Sequence, residues 1–150
     1  MKTKRHFISA LAMAAASLIA QPVWASWEAH LASKLTNASK CSGALYGLDS
    51  VQWAGQAQVK LPADEVKYII AGFANPGSLF AAGPKVAGTK YMTTRADDHL
   101  IILKHGTSGA VFVKSKQAVA ACLFDESKMT PAQANIATQN FSDYLKGIGF

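Results

Sequence analysis

Short β-type segments follow one another between Leu79 and Phe124, with only a few Gly, Asp or Ser residues between them. The segments lie near residues 85–86, 90–95, 99–104, 110–114 and 117–124. If neighbouring strands ran parallel, each connection between them would need a crossover of a dozen or more residues. The short spacing therefore predicts an antiparallel meander.

Three helical segments and two further strands surround this meander. Ser26 can cap a first helix that residues 37–42 break, and Pro62 opens a second helix that residues 75–77 stop. Thr130 and Pro131 begin the last helix as N-cap and first helical residue. The additional strands lie at 44–48 and 51–56. The apolar stripes predicted for the three helices are Trp27, Leu31, Leu35 and Ala38; Val66, Ile69, Ile70 and Phe73; and Ile136, Ala137, Phe141, Tyr144 and Leu145.

This order predicts an α+β fold: three α/β/α layers, in which helices cover both faces of a central antiparallel sheet. Half of the 150 residues are apolar and 16% are charged, as in a folded globular protein. No internal repeat or linker divides the chain, so one domain is expected, most simply a monomer.

The first 25 residues have the three parts of a secretory signal peptide. Basic residues precede an uncharged run from Phe7 to Ala20, and Val23 and Ala25 occupy the −3 and −1 positions of a cleavage site. The run has 14 residues, whereas a membrane-spanning helix needs about 20. We expect a signal peptide at 1–25, a domain at 26–150, and export to the periplasm or the medium.

Charge makes a nucleic-acid partner improbable. The whole chain carries +6, but Lys2, Lys4 and Arg5 belong to the expected signal peptide, and without them the domain carries +3. A mildly basic domain suits an acidic protein surface better than a phosphate backbone.

The sequence does not indicate an enzyme. His30, His99 and His105 lack metal-ligand spacing, and neither a nucleophile elbow nor a phosphate-binding glycine loop is present. Asp97 and Asp98 are adjacent and would point to opposite faces of a strand, so a turn before the next strand is the better interpretation. We expect no catalytic residue, metal or cofactor.

Several short motifs resemble those of the profilin family, in the family's order and at nearly its spacing over residues 26–150. They are Ser26-Trp27-Glu28-Ala29, Gln52-Trp53-Ala54, Gly88-Thr89-Lys90-Tyr91-Met92, Arg95-Ala96-Asp97-Asp98 and Asp143-Tyr144-Leu145, with a glycine-containing tail to Phe150. The likeness leans towards amoebal and plant profilins. It implies N- and C-terminal helices on one face of the sheet, and binding of actin monomers, proline-rich (polyproline) segments and phosphoinositides.

For proline-rich ligands, the resemblance implies an aromatic groove between the first and last helices, formed by Trp27, His30, Trp53, Phe141 and Tyr144. His30 stands where the family usually has tyrosine. The alternative is that these aromatics belong to the core, as most aromatics on amphipathic helices do. Because full burial is difficult at the start of a mature chain, the position of Trp27 favours the groove.

For actin, the resemblance implies contacts from the later strands and the start of the last helix. The matching residues are Lys90, Arg95, Lys104, His105, Gly106, Gln133, Ala137 and Gln139. The family's Gly-Lys-Lys-Gly loop is Leu103-Lys104-His105-Gly106 here, and its glutamate in the last helix is Gln139. Each lost charge could cost about 2 kcal/mol of binding energy. The alternative is that these lysines are a solvated face.

Two further implications concern phosphoinositides and the cysteines. Six basic residues could offer a surface to phosphoinositides, although such residues are usually only solubilising: Lys85, Lys90, Arg95, Lys104, Lys114 and Lys116. In a profilin fold, the start of the first strand lies near the end of the last, so Cys41 and Cys122 can pair, and export permits a disulfide. The sequence context of Cys122 slightly favours an inert core thiol instead.

Two functions remain open at this point. The leading hypothesis is an exported profilin-like protein that binds proline-rich segments and actin, the actin belonging to a host cell if the source is a bacterium. The alternative is a periplasmic or surface interaction module that keeps the fold and has lost actin binding.

Overall fold

The computed structural model describes the backbone of residues 23–150 and the side chains from Trp27 onward. The helices are α1 Val23–Leu31, α2 Ala63–Ala71, α3 Pro76–Ala82 and α4 Pro131–Gly147. The strands are β1 Ser42–Gly47, β2 Gln52–Gly55, β3 Lys85–Val86, β4 Thr89–Lys90, β5 Met92–Ala96, β6 Leu100–His105, β7 Ser108–Lys114 and β8 Ala118–Asp125. Within this range, every helix is too short or too polar to cross a membrane.

Six strands form one antiparallel sheet in the order β2-β1-β8-β7-β6-β5. The antiparallel meander is thus confirmed. The strand expected over residues 90–95 is divided, however. Thr89 and Lys90 pair with β3 in a separate hairpin, and Tyr91 lies between that hairpin and β5, donating its N–H to the Pro84 carbonyl at 2.8 Å.

Side chains alternate along the strands and build a core on each face of the sheet. On β6, for example, Leu100 packs with α1 and α4, whereas Ile101 and Leu103 pack with α2 and α3. The terminal helices therefore share one face and the middle helices cover the other. This confirms the three-layer α/β/α fold.

Helix α1 begins at Val23, so Ser26 lies inside it and the prediction that Ser26 caps the helix is wrong. A π-helical turn, Ala32–Thr36, continues α1. Leu31 and Leu35 are buried, but Ala38 lies beyond this turn and is exposed. The expected signal peptide falls largely on residues 1–22, which lie outside the described residues.

The middle of the chain holds a helix that the sequence pattern did not predict. Residues 75–77 do follow the end of α2, but Pro76 is also the first residue of α3. Its Leu79 is fully buried against Gly72, where an added Cβ would lie 2.4 Å from Leu79 Cδ1. Two turns of helix carry too few apolar positions for a periodic signal.

Helix α4 begins as predicted, with a reciprocal capping box between Thr130 and Gln133. Phe141 and Leu145 are buried, and Ala137 and Tyr144 are partly buried. Ile136, expected on the apolar side, is 61% exposed. Ala134 and Thr138, two small residues near it on α4, are fully buried instead.

Cys41 and Cys122 form a disulfide with a Cα–Cα distance of 5.2 Å. The interpretation of Cys122 as an inert thiol is therefore wrong in this structure. The register of β1 and β8 pairs Gly43 with Cys122, which brings the residue just before β1 beside the end of β8. The bridge lies in the core under α1 and α4.

The β3–β4 hairpin is fastened to α2 by Glu65, whose side chain is 8% exposed. Its carboxylate accepts the N–H groups of Ala87 at 2.7 Å and Gly88 at 2.8 Å. Both residues have positive φ, 52° and 83°, as a tight hairpin turn requires. Glu65, in the first turn of α2, therefore stabilises the turn of the β3–β4 hairpin.

Candidate functional site

Three aromatic rings from distant parts of the chain meet at one end of the α1–α4 face. The Trp27 ring stacks on Trp53 of β2 with their centroids 5.0 Å apart. Phe150 meets Trp27 edge-on at 4.7 Å and Trp53 edge-on at 6.0 Å. Such offset and T-shaped arrangements are the favoured geometries of aromatic pairs. We call these rings, together with His30 and Tyr144, the aromatic groove.

His30 and Tyr144 join α1 to α4 across this groove. The Tyr144 hydroxyl and His30 Nδ1 are hydrogen-bonded at 2.7 Å, and their rings lie 5.5 Å apart. On the other side of Tyr144, the Lys34 ammonium stands 4.7 Å from the ring centroid, a cation–π distance. The groove thus has flat surfaces bordered by polar groups.

The rings of the groove are held in place by nearby backbone. The end of β1 has glycine at position 47, where a Cβ would lie 2.8 Å from Trp53 Nε1. A side chain at position 47 would therefore collide with the Trp53 indole in its present position. The carbonyl oxygen of Phe150 accepts hydrogen bonds from Gln117 N at 2.6 Å and Ser115 Oγ at 2.7 Å.

Burial separates the residues that can touch a ligand from those that support them. Trp27 is only 7% exposed, because Trp53 and Phe150 cover it, so the expectation that its position prevents burial is wrong. Phe141 is fully buried and is not part of a binding surface; its ring stacks 6.5 Å beneath Tyr144. His30, Trp53 and Tyr144 are partly exposed and form the accessible surface.

Phe150 belongs to the groove although the sequence analysis gave it no role. It follows two glycines in a tail without periodicity, so no helical or strand pattern marks it. The usable signal would have been a large aromatic side chain at the end of a glycine-containing tail.

A second surface lies at the other edge of the sheet. Four predicted actin-contacting residues line a cavity of about 470 Å³ there: Lys90, Lys104, His105 and Gly106. The cavity rim includes Phe80, which is 55% exposed, and Met92, which is 66% exposed. We call this the β5–β6 surface. Sequence reasoning missed both apolar residues, because α3 was not predicted and Met92 follows a break in the strand.

The other predicted actin-contacting residues lie elsewhere. Arg95 pairs with Asp97 at 3.5 Å. Lys104, which does line the β5–β6 surface, pairs with Glu126 at 2.9 Å. Gln133 and Ala137 line a different cavity, between the π-helical turn and α4, and Gln139 Nε2 donates to Asn135 Oδ1 at 2.8 Å. Of the six residues considered for phosphoinositides, Lys90 and Lys104 share the cavity of the β5–β6 surface.

Asp97 organises the turn between β5 and β6, as the sequence indicates. Its Oδ1 accepts the N–H of His99 at 3.0 Å and of Leu100 at 2.8 Å. Partial burial would raise the pKa of Asp97, but these hydrogen bonds, with His99 and Arg95 nearby, lower it below its usual value. Asp98 is exposed and its Oδ1 lies 3.1 Å from His99 Nδ1, so these three residues form a surface turn.

The profilin family model matches residues 25–150 of the chain. Profilin-1 of Dictyostelium discoideum is 32% identical over 126 residues, covering 83% of this chain and 99% of the relative. Profilin-A of Physarum polycephalum is 34% identical with the same coverage. The structure is similar to that of Acanthamoeba castellanii profilin II, with a TM-score of 0.76, 28% identity and coverage of 83% and 99%.

Proposed function

The chain belongs to the profilin family, and we propose that its aromatic groove binds proline-rich segments of other proteins. Members of this family are non-enzymatic and generally bind actin and polyproline. The stacked pair of Trp27 and Trp53, bordered by the hydrogen-bonded pair of His30 and Tyr144, is the observation that carries the proposal.

A polyproline II helix suits this groove for two physical reasons. It is extended before binding, so little conformational entropy is lost. Its carbonyl groups make no internal hydrogen bonds. The indole of Trp53 can donate to them, and so can the one N–H or O–H that the hydrogen bond between His30 and Tyr144 leaves free. The flat faces of the same rings can pack against the proline rings.

Titration of the purified protein with polyproline, followed by tryptophan fluorescence, tests this proposal. We expect a saturable change, because Trp53 is partly exposed in the groove. Tyr144→Ala should abolish it, whereas Tyr68→Ala, on α2 across the sheet, should leave it intact. An unmodified protein without a response, or a response that survives Tyr144→Ala, would refute the proposal.

Actin binding by the β5–β6 surface is the second part of the proposed function. Exposed Phe80 and Met92 beside Lys90 and Lys104 combine apolar area with positive charge, which suits an acidic protein surface. The pairing of Lys104 with Glu126 lessens the free charge there. If the protein acts outside its own cell, the actin belongs to a host.

Pyrenyl-actin assembly distinguishes actin binding from its loss. The protein should sequester monomers or change their nucleotide exchange, and Met92→Glu should weaken this effect while leaving polyproline binding unchanged. If the unmodified protein has no effect at high concentration, the alternative applies: an interaction module with the profilin fold that has lost actin binding.

Export is the third part of the proposed function. Two observations support it: the family match begins at residue 25, next to the expected cleavage site, and the Cys41–Cys122 disulfide is typical of oxidising compartments. Cleavage after Ala25 would leave Trp27 as the second residue of the mature chain. N-terminal sequencing of the protein from the source cells should begin at Ser26; an intact Met1 in the cytoplasm would contradict export.

A further inference from the structure

A cavity of about 570 Å³ lies between the π-helical turn and the first half of α4. Its lining includes three lysines, Lys34, Lys40 and Lys128, and no acidic residue; Lys40 and Lys128 also line a neighbouring cavity that contains Asp125. Within residues 23–150, none of these lysines forms an ion pair, whereas Lys104 does. The side-chain amides of Asn37 and Asn140 add hydrogen-bond donors to the same walls. We call this the basic cavity.

Lys34 connects the basic cavity with the aromatic groove, since it lines the cavity and its ammonium stands over the Tyr144 ring. From Trp27 to Lys34, a helix advances about 10 Å at 1.5 Å per residue. A polyproline II helix covers that distance in about three residues, at 3.1 Å each. A chain seated on Trp53 and Tyr144 therefore reaches the cavity within a few residues.

We propose that the basic cavity binds acidic residues that flank the proline-rich segment of a ligand. This inference depends on the proposed function of the aromatic groove, because it concerns the ligand residues next to the prolines that the groove would bind. Aspartate or glutamate there would meet Lys34, Lys40 and Lys128, and the exposed Ile136 side chain would pack against the ligand's apolar atoms. The protein would thus distinguish acidic proline-rich partners from neutral ones.

The shape of the site favours a peptide over a membrane surface. The lysines line a concave cleft between two helical segments instead of a protruding face, and one of them, Lys34, also contacts the Tyr144 ring of the aromatic groove. A lipid surface would need positive charges on one flat or convex face.

Three labelled peptides test the proposal by fluorescence anisotropy with the purified protein. Each contains six prolines, flanked at both ends by two glutamates, two glutamines or two lysines. At 0.05 M salt, the glutamate peptide should bind about tenfold more tightly than the glutamine peptide, as a few exposed ion pairs would give. The lysine peptide should bind more weakly than either, and most of the difference should disappear at 0.5 M salt.

A double variant, Lys40→Gln with Lys128→Gln, removes two charges from the cavity without touching the aromatic groove. It should lose most of the preference for the glutamate peptide, because only Lys34 remains of the three lysines, and its affinity for the glutamine peptide should be unchanged. The matched control is Lys60→Gln with Lys85→Gln, two exposed lysines remote from the cavity. This control should keep the preference.

Each outcome decides one of the two claims. If no peptide binds the unmodified protein, the proposed function of the groove fails. The basic cavity does not bind acidic flanks if the glutamine peptide binds as tightly as the glutamate peptide. The same conclusion follows if the double variant keeps the higher affinity for the glutamate peptide. Binding to phosphoinositide vesicles that is lost in the double variant, without a glutamate preference, would assign the cavity to lipid headgroups and overturn the proposal.

Discussion

The hydroxyl of Tyr144 lies 2.7 Å from Nδ1 of His30, and this hydrogen bond connects the C-terminal helix to the N-terminal one. The two residues are 114 positions apart in the sequence. Their contact fixes the width of the aromatic groove, because the ring of each borders the surface on which a ligand would lie.

A double-mutant cycle measures what this hydrogen bond contributes to stability. We expect Tyr144→Phe and His30→Ala to couple by about 1 kcal/mol in the free energy of unfolding, the usual net value of a protein hydrogen bond. Urea denaturation of the unmodified protein, the two single variants and the double variant gives the coupling energy. Strictly additive effects of the two substitutions would mean that the bond does not hold the helices together.

Gly47→Ala should damage the groove from beneath. The added Cβ would lie 2.8 Å from Trp53 Nε1 and 2.7 Å from Asp49 Oδ1, so the indole must shift from the position in which it stacks on Trp27. We expect an altered near-ultraviolet circular dichroism spectrum and polyproline affinity reduced by roughly threefold or more, the value of an aromatic stack.

The matched control for that substitution is Gly77→Ala. An added Cβ at Gly77 has its nearest neighbour 3.8 Å away, and α3 accepts alanine. The control should leave both the spectrum and the affinity unchanged. Equal effects of the two variants, or none in either, would show that Gly47 does not position Trp53.

The disulfide should be a main source of stability. It joins cysteines 81 positions apart, and closing so large a loop in the unfolded chain corresponds to about 4 kcal/mol. A reducing agent should lower the free energy of unfolding by about that amount. It should not affect a variant that combines Cys41→Ala and Cys122→Ala; a reductant without effect on the unmodified protein would contradict the bridge.

Tyr46 should make stability fall at high pH. Burial raises the pKa of its hydroxyl to about 12, from 10.0. The unfolded chain therefore loses this proton at a lower pH than the folded protein, so the contribution is complete below pH 10 and is lost towards pH 12. Between pH 10 and 11, the unmodified protein should lose about 1 kcal/mol more than Tyr46→Phe.

The same substitution should be harmless at neutral pH. No group among residues 23–150 forms a hydrogen bond with the Tyr46 hydroxyl, so Tyr46→Phe removes no bond between them. Chemical denaturation at pH 7 should show equal or higher stability for the variant. Parallel pH dependence of the two proteins from pH 7 to 11 would refute the assigned pKa.

Local patterns in the sequence were enough for the sheet and for most of the helices. Short turns require antiparallel neighbours, and the Thr130–Gln133 capping box marks the start of α4. The short helix α3 and the division of the strand at Tyr91 were missed, because each depends on tertiary contacts: Leu79 against Gly72, and the Tyr91 N–H on Pro84.

The groove was harder to predict than the fold. Its residues were identified from resemblance, yet the depth of each ring depends on contacts between the two ends of the chain. Phe150 covers Trp27, and Tyr144 covers Phe141. Trp27 and Phe141 were expected at the surface of the groove, but they lie beneath it and support the exposed rings. The pairing of Cys41 with Cys122 likewise follows from strand register and not from either cysteine's local sequence.

Mapping a polyproline peptide onto the protein by amide and indole NMR shifts tests the central claim most directly. If the aromatic groove is the binding site, the shifts will concentrate on the indole of Trp53, on His30 and Tyr144, and on the tail at Phe150, while residues of β5 and β6 stay unchanged. Shifts centred on Phe80 and Met92, or no saturable shifts at all, would contradict it.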